Sequence, residues 1–150
     1  MNTIALRFSD NYAPPKGTIA LHEEIINEKG YVWFGKFGNN ISKEIIKEQM
    51  NTKDPKFLLI KSGGLERYWV HFTDFKTSNE IDFSCVPEYY RDNIGKIKCW
   101  FKIIEFEKAE KDILSKCFVL STGQCLSLAS KYSMNPYFKI KYDEKIKEVV

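Results

Sequence analysis

Apolar and polar residues alternate along several short segments of the chain, which is the pattern of β-strands. The most regular alternation lies in residues 66–75, where Tyr68, Val70 and Phe72 fall on one face. Residues 31–37 are apolar on both faces, which predicts a strand covered on both sides near the middle of a sheet. The pattern predicts strands at residues 1–9, 31–37, 57–61, 66–75, 97–106 and 137–142.

Helical spacing occurs between these strands. The clearest helix is predicted from Thr18, as its capping residue, to Lys29. Leu21 and Ile25 fall on one stripe of this helix, and Gly30 can end it in a left-handed conformation. Shorter helical segments are predicted at residues 42–50, around residues 87–91 and at residues 124–132.

The spacing of the strands predicts the fold class. Only a Ser-Gly-Gly-Leu turn separates residues 57–61 from residues 66–75, so these two strands should form an antiparallel hairpin. Hairpins in the middle of the chain and helices inserted early predict an α+β fold. We expect a small curved mixed sheet or a β-barrel of five to six strands with peripheral helices.

Length and the end of the chain suggest the domain organisation. The 150 residues are the size of one domain and show no internal repeat. Residues 143–150 have a helical charge pattern without a cap. We therefore expect residues 1–150 to be a single domain that forms the N-terminal part of a longer protein.

Composition restricts the function further. Lys and Arg exceed Asp and Glu by only 23 to 20, which does not indicate tight non-specific binding of nucleic acid. The four cysteines lack C-x-x-C spacing, so we expect reduced thiols and no metal site. With no signal peptide, no apolar run of membrane-spanning length and no glycine-rich phosphate-binding motif, we expect a cytoplasmic location and no cofactor.

Catalytic groups are sparse in the sequence. The only histidines are His22 and His71, which we expect to be structural, although His71 could form the wall of a pocket. Asp54-Pro55-Lys56 before a strand weakly resembles part of a metal-dependent nuclease site, but the proline places it in a turn. We therefore expect the domain to bind a ligand rather than to catalyse a reaction.

Aromatic residues make up 15% of the chain and suggest how a ligand is bound. Many of them should fill the core, but two or three can form a shared pocket that stacks on a planar base. We expect Trp33 and Trp69 to be the stacking walls, with Tyr89 as a further aromatic contact. The polar edges of the base would then be recognised by Asn39, Asn40 and Ser62.

A resemblance to a known family supports this interpretation. The order of strand, helix, strand with Trp33, then Lys-Phe-Leu-Leu-Ile-Lys-Ser and a hairpin through Tyr-Trp-Val-His-Phe resembles the PUA-like superfamily. Its EVE and YTH members bind modified bases. The resemblance covers about residues 30–106, and this chain differs from familiar EVE chains by the strand and helix that precede Tyr31.

The resemblance implies a partner and a biological setting. It implies a module that takes a flipped-out base into an aromatic cage, as the specificity domain of a modification-dependent restriction system, beside a fused or associated motor or nuclease. DNA is favoured over RNA as the partner. Basic residues around the pocket would contact phosphates, namely Lys36, Lys61, Arg91, Lys98 and Lys102. The alternative is a small-molecule or nucleotide sensor, or a protein-interaction domain, on the same barrel.

Overall fold

The fold is given by a computed structural model that describes residues 1–38 and 41–144. The strands are β1 (Asn2–Phe8), β2 (Val32–Phe37), β3 (Lys56–Lys61), β4 (Arg67–Lys76), β5 (Ile97–Lys108), β6 (Cys117–Val119) and β7 (Tyr137–Tyr142). The α-helices are α1 (Thr18–Lys29), α2 (Lys43–Met50) and α3 (Leu126–Tyr132). Short 3₁₀ helices span Phe83–Cys85, Glu88–Lys96 and Ile113–Lys116.

The strands form one mixed sheet in the order β2-β5-β4-β3-β1-β7-β6. β1 and β3 are parallel, and the other neighbouring strands are antiparallel. The predicted α+β class, the mixed sheet and the hairpin of β3 and β4 are confirmed. Two details were wrong, because the described residues contain seven strands and the sheet does not close into a barrel. The additional strand, β6, has only three residues, too few for alternation to reveal it.

β2 lies at an edge of the sheet, whereas its two apolar faces predicted a central position. Both faces are covered, but by layers that lie above and below the sheet. On one face, Phe34 packs in a cluster with side chains from the helices α1 and α2. On the other face, Trp33 packs against residues of the first two 3₁₀ helices. Burial on both faces of a strand therefore shows that other layers cover it. It does not show that the strand lies in the middle of the sheet.

The start of α1 is fixed by a residue that lies outside the helix. The backbone N–H of Thr18 donates to Oδ1 of Asp10 at 2.9 Å, and the Thr18 side chain makes no capping bond. The prediction of Thr18 as the cap was therefore wrong, although the predicted bounds of the helix are confirmed. Gly30 ends the helix with φ of 92°, as expected for a left-handed cap.

The core is divided into three clusters of buried side chains. The first lies under α1 and α2 and contains the inward residues of β1, β2, β3 and β4. The second lies on the opposite face of the sheet beneath α3 and includes Trp69. The third packs β2 and β5 against the 3₁₀ helices and includes Trp33 and Trp100. The helical pattern predicted at residues 143–150 falls, from residue 145 onward, outside the described residues.

Candidate functional site

A cavity of 160 Å³ lies where β1 approaches β2. Three strands separate β1 from β2 in the sheet, so the two meet at one cavity only because the sheet curls. The 3₁₀ helix Glu88–Lys96 and the segment before α1 supply further lining. The lining residues are Leu6, Arg7, Phe8, Ser9, Tyr12, Thr18, Phe34, Gly35, Lys36, Phe37, Tyr89, Tyr90 and Pro136.

Aromatic rings form much of the cavity wall. The rings of Tyr12 and Phe37 are stacked, with centroids 5.4 Å apart and planes inclined by 16°. Phe37 meets Tyr90 edge-on at 5.7 Å, and Tyr90 meets Tyr89 edge-on at 4.7 Å. Tyr12 is 57% exposed and Tyr90 only 2%, so this wall extends from the surface into the interior. It offers flat apolar faces together with hydroxyl groups to a planar ligand.

Tyr90 is held in place by a buried histidine. Nδ1 of His22 lies 2.7 Å from the carbonyl oxygen of Thr18, which can only accept a hydrogen bond, so Nδ1 carries the hydrogen. Nε2 then accepts the hydroxyl hydrogen of Tyr90 at 3.0 Å. Burial lowers the pKa of His22 to about 4, so the ring is neutral at neutral pH. Burial also raises the pKa of Tyr90 well above its usual value, which keeps the hydroxyl protonated.

Gly35 is required where β2 lines the cavity. A Cβ atom at this position would lie 2.9 Å from two side-chain atoms of Ile97 and 3.0 Å from Cζ3 of Trp100. The absence of a side chain lets β2 pack closely against these residues of the third cluster. The neighbouring residues Phe34 and Phe37 are thereby held at the cavity wall.

Lys36 supplies a positive charge in the cavity wall. Lys36 is only 7% exposed, and its Nζ donates to the carbonyl oxygen of Phe37 at 3.2 Å. Nζ also lies 5.8 Å from the centroid of the Tyr137 ring, across the opening between β2 and β7. Burial lowers the pKa of Lys36, and the facing Cys99 opposes this shift. A bound anion would stabilise the charged form of this lysine.

Arg7 brings a second cation to the cavity. Its guanidinium donates to the carbonyl oxygens of Ser130, Ser133 and Asn135, at and after the end of α3. These bonds fix the position of the side chain. Arg7 takes part in none of the ion pairs formed by the described residues, so no carboxylate neutralises its charge. None of the described lining residues is acidic. The cavity is therefore both aromatic and positively charged.

A more polar cavity of 420 Å³ adjoins the first and shares Phe8 and Thr18 with it. Nζ of Lys61 lies there, 3.2 Å from Asp10 and 3.0 Å from Glu66. These two carboxylates raise the pKa of Lys61, with the bond to Glu66 as the larger cause. The predicted phosphate contact is thus already paired with two acids, which offset its charge.

Two residues predicted from the sequence lie in the aromatic cavity. Tyr89 belongs to its wall, and burial raises the pKa of its hydroxyl. Lys36 lies beside it, at the position expected for a phosphate contact at the pocket. The structure places both residues together, and their roles in binding stay predictions.

The two tryptophans do not share a pocket, so this part of the predicted site was wrong. Trp33 is 5% exposed and packs in the third cluster, whereas Trp69 is 6% exposed and packs in the second. Neither lines the aromatic cavity. Both indole rings fill the core between the sheet and its covering layers, which is the usual role of a large ring on a strand.

The other predicted contacts lie outside the aromatic cavity or outside the described residues. Ser62 is exposed in the turn after β3, where its backbone N–H donates to the carbonyl oxygen of Phe8 at 2.7 Å. The exposed cations Arg91 and Lys98 do not line this cavity, and neither do the half-buried Lys61 and Lys102. Asn39 and Asn40 belong to the residues that the structure does not describe.

His71 lies between two carboxylates. Its Nδ1 is 2.7 Å from Oδ1 of Asp54, and its Nε2 is 2.9 Å from Oε1 of Glu107. Burial is the largest single cause and lowers its pKa, but the two hydrogen bonds and the negative charges of Asp54 and Glu105 together raise the pKa by more, so the net shift is upward. Lys56, proposed with Asp54 for a nuclease site, places Nζ over the ring of Trp69. No group of three or more acidic, histidine or cysteine side chains suited to a metal occurs among the described residues.

The sequence did not identify three of the wall residues, Tyr12, Phe37 and Tyr90. Tyr12 lies in the proline-containing loop, which gave no periodic signal, and Phe37 follows Gly35 on a strand interpreted as core. The adjacent pair Tyr89-Tyr90 after Pro87 was a usable signal, but only Tyr89 was assigned to the site.

Comparisons with known proteins identify one similarity. The family model described as Pua-like matches residues 4–145. The match includes β1 and α1, which had been considered a departure from related chains. Neither a curated protein nor a solved structure matches the chain. Within the described residues, no helix is long and apolar enough to cross a membrane.

Proposed function

This chain belongs to the Pua-like family, whose domains bind nucleic acids, and on that premise we propose that it recognises a modified or flipped-out base in the aromatic cavity. The cavity between β1 and β2 carries this proposal, because it combines stacked rings with nearby cations and no acidic lining residue among those described. Stacking on aromatic rings is the general means of binding an unstacked base.

The size of the cavity favours a single ring system. Ligand pockets for larger small molecules usually measure about 300–1,000 Å³. The 160 Å³ found here therefore suits one planar base better than a dinucleotide. Tyr12 and Phe37 would stack against the base, and the Tyr89 hydroxyl would bind its edge. These roles replace those first expected for Trp33 and Trp69.

The positive residues at the cavity would bind the phosphates next to the base. Arg7 and Lys36 line the cavity itself, and no described carboxylate pairs with Arg7. Contacts of this kind fix the position of a strand but carry no sequence information. Preference for one base would come from the aromatic wall.

We propose that the chain binds without catalysing a reaction. His22 is the only histidine next to the cavity, and its two ring nitrogens are occupied by Thr18 and Tyr90. A general base needs a free nitrogen near the reacting group, which this arrangement does not supply. The biological setting proposed is the cytoplasmic specificity module of a modification-dependent restriction system acting on DNA, with a fused or associated motor or nuclease.

A second candidate uses the same cavity for a free nucleotide. Arg7 and Lys36 could bind the phosphate of a mononucleotide whose base stacks on Tyr12 and Phe37. The two candidates differ in their requirement for a strand. A mononucleotide should compete with a long strand at similar concentration if the chain is a sensor, and should compete poorly if flanking phosphates contribute to binding.

A binding panel tests the proposal. The panel contains duplexes and single strands that carry a modified or an unmodified base, and each is measured at two salt concentrations. We expect affinity to fall with salt for all of them, while the preference for one modified base persists at both concentrations. Equal affinity for every modified and unmodified probe would refute base recognition.

A further inference from the structure

A second surface feature lies next to the aromatic cavity, namely a groove of 400 Å³ between the turn after β3 and α3. Arg7 lines both the groove and the cavity, so the two are adjacent. The other lining residues are Ile60, Lys61, Gly63, Gly64, Leu65, Arg67, Leu114, Ser127, Ser130 and Lys131. The groove therefore contains four cations, and none of its described lining residues is acidic.

Three of these cations lack a carboxylate partner. The ion pairs formed within residues 1–38 and 41–144 do not include Arg7, Arg67 or Lys131. Nη1 of Arg67 donates to the carbonyl oxygen of Lys111 at 3.1 Å, and its buried Nε has no hydrogen-bond partner among the described atoms. Unpaired cations along a groove produce a positive potential that is complementary to a phosphodiester backbone.

Leu65 stands at the rim of this groove and is 85% exposed. An isolated exposed leucine is common on protein surfaces. Leu65 is distinguished by its place on a cationic groove that shares Arg7 with the aromatic cavity. Apolar side chains in such positions can enter a base stack and separate neighbouring base pairs.

The turn that carries Leu65 is firmly held at its base. The backbone N–H of Lys61 donates to the carbonyl oxygen of Glu66 at 3.0 Å, and Nζ of Lys61 pairs with Glu66 and Asp10. Gly63 adopts φ of 71°, a conformation that favours glycine. Leu65 therefore projects from a fixed turn and does not depend on a disordered loop for its exposure.

We propose that the groove binds the backbone of a nucleic-acid duplex and that Leu65 inserts into the base stack, where it fills the space vacated by the base bound in the cavity. This inference rests on the proposed function and extends it to the substrate class, a duplex. Removing a base from a stack costs free energy, and a side chain that replaces the lost stacking lowers this cost.

The test uses two DNA probes and the variant Leu65→Ala. In the first probe, a methylated cytosine pairs with guanine, and in the second the same methylated cytosine faces an abasic site and is already unpaired. We expect Leu65→Ala to weaken binding of the paired probe about tenfold and binding of the unpaired probe less than about twofold. Ile104→Ala, at another exposed apolar residue (44% exposed) that lines none of the described cavities, should change neither affinity.

A second variant tests the groove. Lys131→Gln should weaken binding of methylated and plain duplexes equally and reduce the slope of log affinity against log salt by about one. Lys53→Gln, in the exposed turn before β3, should leave the slope unchanged. If the Lys131→Gln variant has the same slope as the protein without the substitution, the proposal that the groove binds the nucleic-acid backbone is wrong.

The possible results separate this inference from the proposed function. Equal losses on the paired and unpaired probes, or no loss on either, would overturn the role of Leu65 while preference for the methylated base remains. If the unmodified protein shows no preference for the modified base over the plain base in any probe, the proposed function fails and the inference fails with it.

Discussion

The two histidines of the chain respond to pH in opposite directions, because their surroundings differ. His22 is fully buried and neutral, with a pKa lowered to about 4 by burial. His71 lies between Asp54 and Glu107, whose hydrogen bonds raise its pKa despite partial burial. The first arrangement favours the neutral ring and the second favours the charged ring.

These shifts predict opposite effects on stability. The unfolded chain binds a proton at His22 near pH 6.5, but the folded chain does so only near pH 4, so acidification through this range should remove on the order of 3 kcal/mol. The contribution of His71 is complete below pH 6.5 and is lost as pH rises through its raised pKa.

Urea unfolding as a function of pH, with the variants His22→Gln and His71→Gln, measures both effects. His22→Gln should flatten the loss of stability between pH 6.5 and 4, and His71→Gln should flatten the loss above pH 6.5. The same change of slope in both variants would contradict these assignments.

Trp33 is expected to stabilise the fold, contrary to its first interpretation as a stacking wall. Its ring is 5% exposed among Tyr90, Ile97 and Trp100. Trp33→Ala should therefore lower the free energy of unfolding by about 3–5 kcal/mol, because it leaves a large void in the core. Tyr132→Ala, at a 75% exposed ring, should change it by less than about 0.5 kcal/mol. Denaturant unfolding of both variants provides the measurement.

Tyr12 tests the aromatic wall without the risk of unfolding, since it is 57% exposed. Tyr12→Ala should remove about 1–3 kcal/mol of binding free energy for the preferred base, since one stacking partner is lost. Binding of plain DNA should change less, so the preference itself should decrease. Tyr132→Ala serves as the matched control, and the idea fails if both variants keep the full preference.

The sequence showed which kinds of residue could form a binding site. It did not show which of those residues lie close together in the fold. Tyr89 and Lys36 both line the aromatic cavity, but Trp33 and Trp69, which were assigned to a common pocket, lie in separate core clusters. Alternation along a strand shows which residues share a face of that strand. It does not show whether a helix or another layer covers that face, and both tryptophans are covered.

Among the elements, β2 is the one on which the cavity most depends. Its bounds were predicted within one residue, whereas its position at the sheet edge was not. An edge position leaves one side of β2 without a strand partner, and the aromatic cavity lies on that side toward β1. The apolar pattern could not show this, because hydrogen-bond partners of a strand are not encoded in its own periodicity.

Gly35 gives a direct test of how β2 is packed. Gly35→Ala would place Cβ within 3.0 Å of Ile97 and Trp100, so β2 must shift to accommodate it. We expect a loss of about 1–3 kcal/mol in the free energy of unfolding and a weaker binding of the base, because Phe34 and Phe37 move with the strand. Gly95→Ala is the control, as a Cβ there meets nothing within 4 Å. Urea unfolding and the binding panel measure the two effects.

For the whole molecule, the curl of the sheet determines the site. β1 and β2 lie far apart in sheet order, yet both contribute residues to one cavity, and Nζ of Lys36 reaches the ring of Tyr137 on β7. The sequence predicted a curved sheet from hairpin spacing, but it gave no means of telling where the sheet remains open. That opening is a property of tertiary packing, and it holds the residues that the sequence missed.

The positive charge of Lys36 at the cavity leads to a prediction about how phosphates are bound. Lys36→Gln should weaken binding of modified and plain DNA by the same factor, since a phosphate contact does not distinguish bases. The slope of log affinity against log salt should decrease by about one. Equilibrium binding at several salt concentrations measures both quantities, and a selective loss for modified DNA would show that Lys36 contacts the base.

Photochemical cross-linking tests most directly whether a base enters the aromatic cavity. A duplex in which the target base is replaced by its iodinated, photoreactive form is bound, irradiated and digested, and the attached peptides are identified by mass spectrometry. The account predicts attachment to Tyr12, Phe37 or Tyr89, the rings of the cavity wall. Attachment confined to aromatic residues outside the cavity, such as Tyr31 or Tyr132, would contradict it.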